Sequence, residues 1–297
     1  MMASDLRFLW LEVTGKCQLR CSHCYADSGP HGTHGSMTLA DWRRVLEQGA
    51  RLGVSDVQFI GGEPTLHPAL PELVRHARRC GLGIEVFSNL ARTMSDELWN
   101  VFELPGVRLA TSYYAADPVM HDRITTLQGS YRRTRRNIAE AGQRGIPLRV
   151  GVVAVDESQD VDAAIADLTS LGVTDIKLDQ LRQVGRGVRD QAPSVEQLCG
   201  KCADGSLAIS PTGDVWPCVF ARWMALGNVR EAELSEINAA AGVTRIELRS
   251  RFAIRSQRYP DPCNPDCNPN CNPQCNPNCG PGKDGPFPGC PPTDPKK

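Results

Sequence analysis

The 297-residue sequence has no apolar run near the ~20 residues that span a bilayer, which excludes a helical anchor within it. It opens on Met-Met-Ala-Ser-Asp-Leu-Arg, without the basic segment and apolar stretch of an export signal. A charge surplus is missing too. With 33 Lys and Arg against 34 Asp and Glu, the composition argues for no nucleic-acid and no membrane partner. The last stretch, residues 259–297, has no Leu, Ile, Val or Met and cannot build an apolar core of its own. Cysteine, by contrast, is plentiful at 13 residues. Without an export signal, so many thiols point to metal or redox chemistry in a reducing cytoplasm rather than to disulfides.

The length allows one large domain, or a domain with an appendage. From residue 8 to 181, strand-like stretches (8–13, 57–60, 83–88, 107–112, 147–155, 175–181) alternate with helix-like ones (42–52, 70–80, 95–104, 131–144, 161–171). Thr38 and Asp41 offer a capping box to the first helix, and Gly53, Gly81 and Gly145 mark helix ends. Residues 121–123 read as surface. Short connections between such units imply a parallel sheet with right-handed crossovers. The expected fold is α/β: a partial (β/α)6 barrel of the TIM type, then a small Cys-rich part with a β-hairpin, then a Pro/Cys-rich tail. The expected boundaries are 1–190, 191–258 and 259–297. In β/α barrels, reacting residues sit on loops after the strand C-termini.

Such a loop follows the first strand: Cys17-Gln-Leu-Arg-Cys21-Ser-His-Cys24. Three thiols within eight residues can aim at one place. Iron–sulfur clusters take four thiolates as a rule, so three leave one iron open for chemistry; a structural zinc loop short of a ligand is the bland reading. After the second strand comes Gly61-Gly62-Glu63-Pro64, in which two glycines permit close backbone approach and Pro64 stiffens the exit, as in any tight turn. The loop 26–37, with His31 and His34, reads as a lid or entry loop rather than a zinc site, and Cys80 as a spectator thiol. Tyr113 and Tyr114 either meet substrate or pack the barrel mouth.

The CxxxCxxC spacing followed by Gly-Gly-Glu-Pro resembles the radical S-adenosylmethionine (SAM) enzymes. The resemblance implies that Cys17, Cys21 and Cys24 hold a [4Fe-4S] cluster whose open iron chelates SAM. It implies that residues 61–64 form the turn for the methionine ammonium, with Ser88, Asn89 and, more weakly, Ser112 facing its carboxylate or ribose. The ring near adenine is His23 or Tyr25. Arg186 resembles an arginine found after the sixth strand in related enzymes, and reads equally as a solvated turn.

In the second half, Cys199 and Cys202 precede a hairpin turning at Pro211 and Gly213, which carries Cys218 back beside them. This resembles the start of the SPASM/twitch auxiliary-cluster domain, as does Leu226-Gly-Asn-Val229 before a helical run at 232–240. The tail then repeats Cys-Asn-Pro-x through Cys263, Cys267, Cys271, Cys275 and Cys279, with Cys290 beyond. It is either low-complexity chain or metal-stapled, and evenly spaced thiols favour staples. It departs from the usual SPASM spacing, so the division of ligands stays open. Cys199, Cys202 and Cys218 with tail thiols are expected to hold at least one auxiliary iron–sulfur cluster.

The resemblance implies cleavage of SAM to a 5′-deoxyadenosyl radical and C–H abstraction, with electrons from an external donor such as flavodoxin or ferredoxin. The expected substrate is a ribosomally made peptide that receives a cross-link. A strand starting near Phe8 leaves no room for a leader-binding segment, so a separate leader-binding protein is expected, unless the barrel itself holds the leader. The alternatives are a sugar or aminocyclitol dehydrogenase or epimerase, and a non-enzymatic iron–sulfur scaffold.

Overall fold

The computed structural model describes residues 6–189, 192–195, 198 and 202–258. Strand β1 (Phe8–Thr14) is buried along its whole length, as a strand covered on both faces should be. Six parallel strands follow the expected order: β1, β2 (Asp56–Gly61), β3 (Gly83–Phe87), β4 (Val107–Tyr113), β5 (Leu148–Ala154) and β6 (Asp175–Gln180). The sheet does not close. Its order is β6-β5-β4-β3-β2-β1-β7-β8-β9, with β7 (Ser206–Ile209), β8 (Asp214–Trp216) and β9 (Gly227–Asn228) continuing it past β1. The expected hairpin is β7–β8, turning at Gly213, but β7 also pairs parallel with β1, Phe8 opposite Ser206. The Cys-rich half therefore extends the barrel sheet directly.

The helices are α1 (Leu39–Arg51), α2 (Leu70–Arg79), α3 (Asp96–Phe102), α4 (Pro118–Thr125), α5 (Ser130–Gln143), α6 (Val161–Ser170) and α7 (Leu234–Arg258). The capping box of α1 forms as expected: Thr38 Oγ1 accepts from the Asp41 amide, and Asp41 accepts from the Thr38 amide. Helix α4 corrects the expectation of a surface stretch at 121–123. Asp117 caps it and Pro118 starts it, and it turns His121 inward to 1% exposure. Helix α7 runs well beyond the expected 232–240.

Alternation along β1 divides the core. Leu9, Leu11 and Val13 pack with the helices around Trp42, whereas Phe8 and Trp10 face Trp216 and Phe220 of the second half. Glu12 shares that second face. It is 1% exposed, and Arg222 Nη1 donates to both its oxygens at 2.6 and 2.7 Å while stacking over Trp216 at 4.2 Å. This ion pair fastens the segment after Cys218 to the central strand. Burial pushes the Glu12 carboxyl up, and Arg222 pulls it partly back.

Arg222→Ala should therefore leave a buried carboxylate unpaired and cost about 3 kcal/mol of stability at neutral pH. A carboxyl whose pKa is raised on folding is penalised above its unfolded value, so the loss should shrink in mildly acidic solution as Glu12 takes up a proton. Urea unfolding at the two pH values measures both effects.

Candidate active site

The loop leaving β1 is held from three sides by backbone hydrogen bonds. From within, Gly15 N donates to Thr33 O at 2.9 Å and Cys17 N to Gly29 O at 3.0 Å. The loop 26–37 is thus tied down, and not the free lid expected of it. Ser36 N and Met37 N donate to Pro211 O of the hairpin turn, and His34 Nδ1 lies 2.9 Å from Thr14 Oγ1 and edge-on to His67. From outside, Arg20 N and Ser22 N donate to the last carbonyls of α4, on Thr125 and Ile124. From the turn after β6, Arg186 grips the loop. Its amide donates to Cys24 O, Nε to Cys21 O and Nη2 to Ser28 O, and Nη1 pairs with Asp27 at 2.6 Å. Arg186 is no solvated turn residue.

The glycine pair after β2 serves this loop. Gly61 has φ +138°, and a Cβ there would overlap Thr14 O; one on Gly62 would overlap Lys16 O. The close approach lets Gly62 N donate to Thr14 O at 2.7 Å and Glu63 N to Lys16 O at 2.8 Å. Glu63 is fully buried. Its Oε1 accepts from Thr65 N, Thr65 Oγ1 and Ser88 Oγ, and its Oε2 from Asn89 N. Burial raises its pKa while these donors oppose the rise. Asn89 Nδ2 in turn donates to Cys17 Sγ at 3.5 Å. The loops after β1, β2 and β3 are thereby one hydrogen-bonded body.

These loops enclose a cavity of about 130 Å³ at the strand C-termini. Among the residues expected at the site, Cys17, Cys21, Cys24, Tyr25, Gly61, Gly62, Asn89 and Ser112 line it; Glu63, Pro64 and Ser88 stand behind its wall. His23 lines it too, edge-on to Tyr114 at 5.0 Å. Tyr114 meets the cavity, while Tyr113 turns away to donate to Asp167 at 2.5 Å. Cys80 is half-buried at the end of α2 and does not line the cavity. Sequence reasoning missed Asp179, Arg182 and Phe220 on the wall; Asp179 is a lone acid within β6, and Arg182 and Phe220 stand in irregular stretches without periodicity or spacing to mark them.

The three sulfurs do not close on a point. Among the described residues no three His, Cys, Asp or Glu side chains stand close enough to hold a single ion. All three line the cavity instead, and soft thiolates suit iron and sulfide. Burial and the neighbouring Glu63 push the Cys17 thiol up to about 12, and burial also raises Cys21. Farther along, Cys202 and Cys218 lie buried with their sulfurs 3.4 Å apart, as the hairpin argument requires. Cys199, Cys263, Cys267, Cys271, Cys275, Cys279 and Cys290 lie outside the described residues.

The family model of the radical SAM superfamily matches residues 11–168, so the chain belongs to that superfamily. The model of the SPASM iron–sulfur cluster-binding domain matches residues 199–276, taking in Cys199, Cys202, Cys218 and the tail thiols through Cys275. Its cofactors are accordingly S-adenosyl-L-methionine, a [4Fe-4S] cluster and at least one auxiliary iron–sulfur cluster. A protein named PqqA peptide cyclase from Xanthomonas axonopodis pv. citri is 31% identical, covering 76% of this chain and 72% of its own. One of the same name from Streptomyces rochei is 26% identical, covering 76% and 74%. Among solved structures, Streptococcus suis SuiB bound to S-adenosylmethionine shares the fold, with a TM-score of 0.68 at 14% identity over 82% of this chain and 68% of that one.

Removing the grip of Arg186 should loosen the thiol loop without touching a thiol. Arg186→Ala is expected to bind less iron and sulfide after anaerobic reconstitution than the wild type, with a lowered melting temperature. Metal analysis and calorimetry check it; unchanged iron content would show that the loop is held without Arg186.

Proposed function

We propose that the protein is a radical SAM maturase of a ribosomally made peptide, forming a cross-link or related modification. The observation that carries this reading is one cavity lined together by three thiols, the Gly61–Gly62 turn and Phe220 of the segment that follows Cys218. Sequence relatives named PqqA peptide cyclase support a peptide substrate, and SuiB, of the same fold, has been solved with its precursor peptide SuiA. These relatives do not favour the sugar or aminocyclitol alternative, and an inert scaffold leaves the cavity without a purpose.

In this reading Cys17, Cys21 and Cys24 hold the cluster and leave one iron for the amino and carboxylate groups of SAM. A cluster held there would supply the electron for reductive cleavage of SAM to methionine and a 5′-deoxyadenosyl radical. The chain's own part is placement. The turn at Gly61, Gly62 and Glu63 receives the ammonium through its backbone, since the Glu63 carboxylate is already engaged by Thr65, Ser88 and Asn89. Pro64 and Ser88 support that turn from behind. Asn89 and Ser112 offer polar atoms to the carboxylate or ribose, and His23 or Tyr25 flanks the adenine. Cys199, Cys202 and Cys218, with Cys263, Cys267, Cys271, Cys275 and Cys279, divide the auxiliary cluster or clusters among them. An external donor such as flavodoxin or ferredoxin provides electrons, and either a separate protein or the barrel itself holds the leader. We place the protein in the cytoplasm; no helix among the described residues is long and apolar enough to cross a membrane.

Anaerobically reconstituted, reduced protein should cleave SAM to 5′-deoxyadenosine, and Cys17→Ala, Cys21→Ala or Cys24→Ala should each abolish this. Cleavage by the triple variant would refute the site. That triple variant should still bind iron and sulfide through its C-terminal part, so an iron-free triple variant would remove the auxiliary site. Mass spectrometry of short peptides encoded beside the gene, after incubation with enzyme and SAM, tests the substrate class.

A further inference from the structure

Arg182 stands on the turn after β6 and lines the cavity, yet is only 7% exposed. Its guanidinium stacks over Phe220 at 4.7 Å, and Nη2 reaches Asp179 Oδ1 at 3.5 Å, the long end of ion-pair distances. Its Nε has no hydrogen-bond partner. A guanidinium presents five N–H donors in a planar fork. Holding that charge away from water with one long contact and an unused donor is costly, unless another anion completes it.

The backbone presents the fork to the cavity. Val184 N donates to Arg182 O at 2.8 Å, and a Cβ on Gly187 would overlap that same oxygen. Arg186, on the same turn, is fastened to the thiol loop, so the turn has little freedom to carry Arg182 outward. The contacts of Arg182 run to β6 and to the hairpin segment, not to the Gly61–Gly62 turn. It therefore lies on the part of the wall formed by β6 and the segment that follows Cys218.

We propose that Arg182 is the carboxylate receptor of the cavity, taking an acidic side chain of the substrate peptide in a bidentate pair; this rests on the peptide-maturase reading. The recognised chemistry is a planar carboxylate. The methionine carboxylate of SAM has that chemistry too, and the test separates the two sources.

Full-length protein, anaerobically reconstituted, is titrated at equilibrium with N-acetylglutamate N-methylamide, with its glutamine counterpart and with SAM. Wild type, R182K and R182Q are compared, with cluster absorbance and melting temperature checking that each variant is intact. Wild type should bind the glutamate probe about tenfold or more tighter than the glutamine probe. R182Q should lose that preference, R182K should keep part of it, and the affinity for SAM should stay unchanged. Equal binding of the two probes by intact wild type, or a preference surviving in intact R182Q, overturns the proposal. A loss confined to SAM assigns the fork to the methionine carboxylate and overturns the substrate assignment. An altered cluster spectrum in R182Q with both probes unaffected assigns Arg182 to the cluster and overturns it as well. Wild type that does not cleave SAM overturns the maturase reading itself, whereas cleavage without a probe preference overturns only the receptor.

Discussion

The site depends on a backbone seam between two loops. Thr14 and Lys16, leaving β1, accept hydrogen bonds from the amides of Gly62 and Glu63, leaving β2. The seam exists because neither Gly61 nor Gly62 has a Cβ to collide with those carbonyls. Each bond is worth about 1 kcal/mol net, so the energy is modest. The constraint is geometric: the thiol loop cannot shift without the turn that faces the same cavity. The two most legible motifs of the chain are thus physically one object. The two glycines at the turn are explained in the first place by contact within the chain, and only secondarily by room for a ligand.

Glu63 carries the coupling one strand farther. A buried carboxylate with four donors is well compensated for its lost hydration. Those donors come from Thr65 on its own turn and from Ser88 and Asn89 after β3. Asn89 also touches Cys17. The loops after three successive strands are therefore set relative to one another by hydrogen bonds to a single acid and a seam of main chain. This is preorganisation in a literal form: polar groups fixed before a ligand arrives need not be ordered by it.

The six parallel strands and the thiol loop are legible in the sequence because their signals are local. Buried parallel strands read as apolar runs, and Thr38 with Asp41 marks the start of α1. Other features leave no local mark. Helix α4 has only eight residues, among them a histidine, an aspartate and an arginine, and its buried face mixes Ile124 with His121 and Thr125, His121 packing between Tyr113, Tyr114 and Tyr131. The hairpin β7–β8 follows from its turn, but the parallel seat of β7 beside β1 joins residues about 200 positions apart, and no short-range pattern encodes that. The loop 26–37 is rich in glycine and so resembles a free lid. Its order comes from the carbonyl of Pro211, far away in the sequence, and from amides of the β1 exit.

Three arginines of the second half act at or near the site, and each uses the planar fork differently. Arg222 saturates the buried Glu12 and fixes the hairpin segment to the central strand. Arg186 donates to three carbonyls and an aspartate, and so holds the thiol loop without occupying a thiol. Of the three, only Arg182 has a buried nitrogen without a hydrogen-bond partner, its Nε, and it is the one that combines deep burial with a place on the cavity wall. Arg222 and Arg186 leave no buried nitrogen without a partner; Arg182 keeps one buried donor for something the chain does not supply.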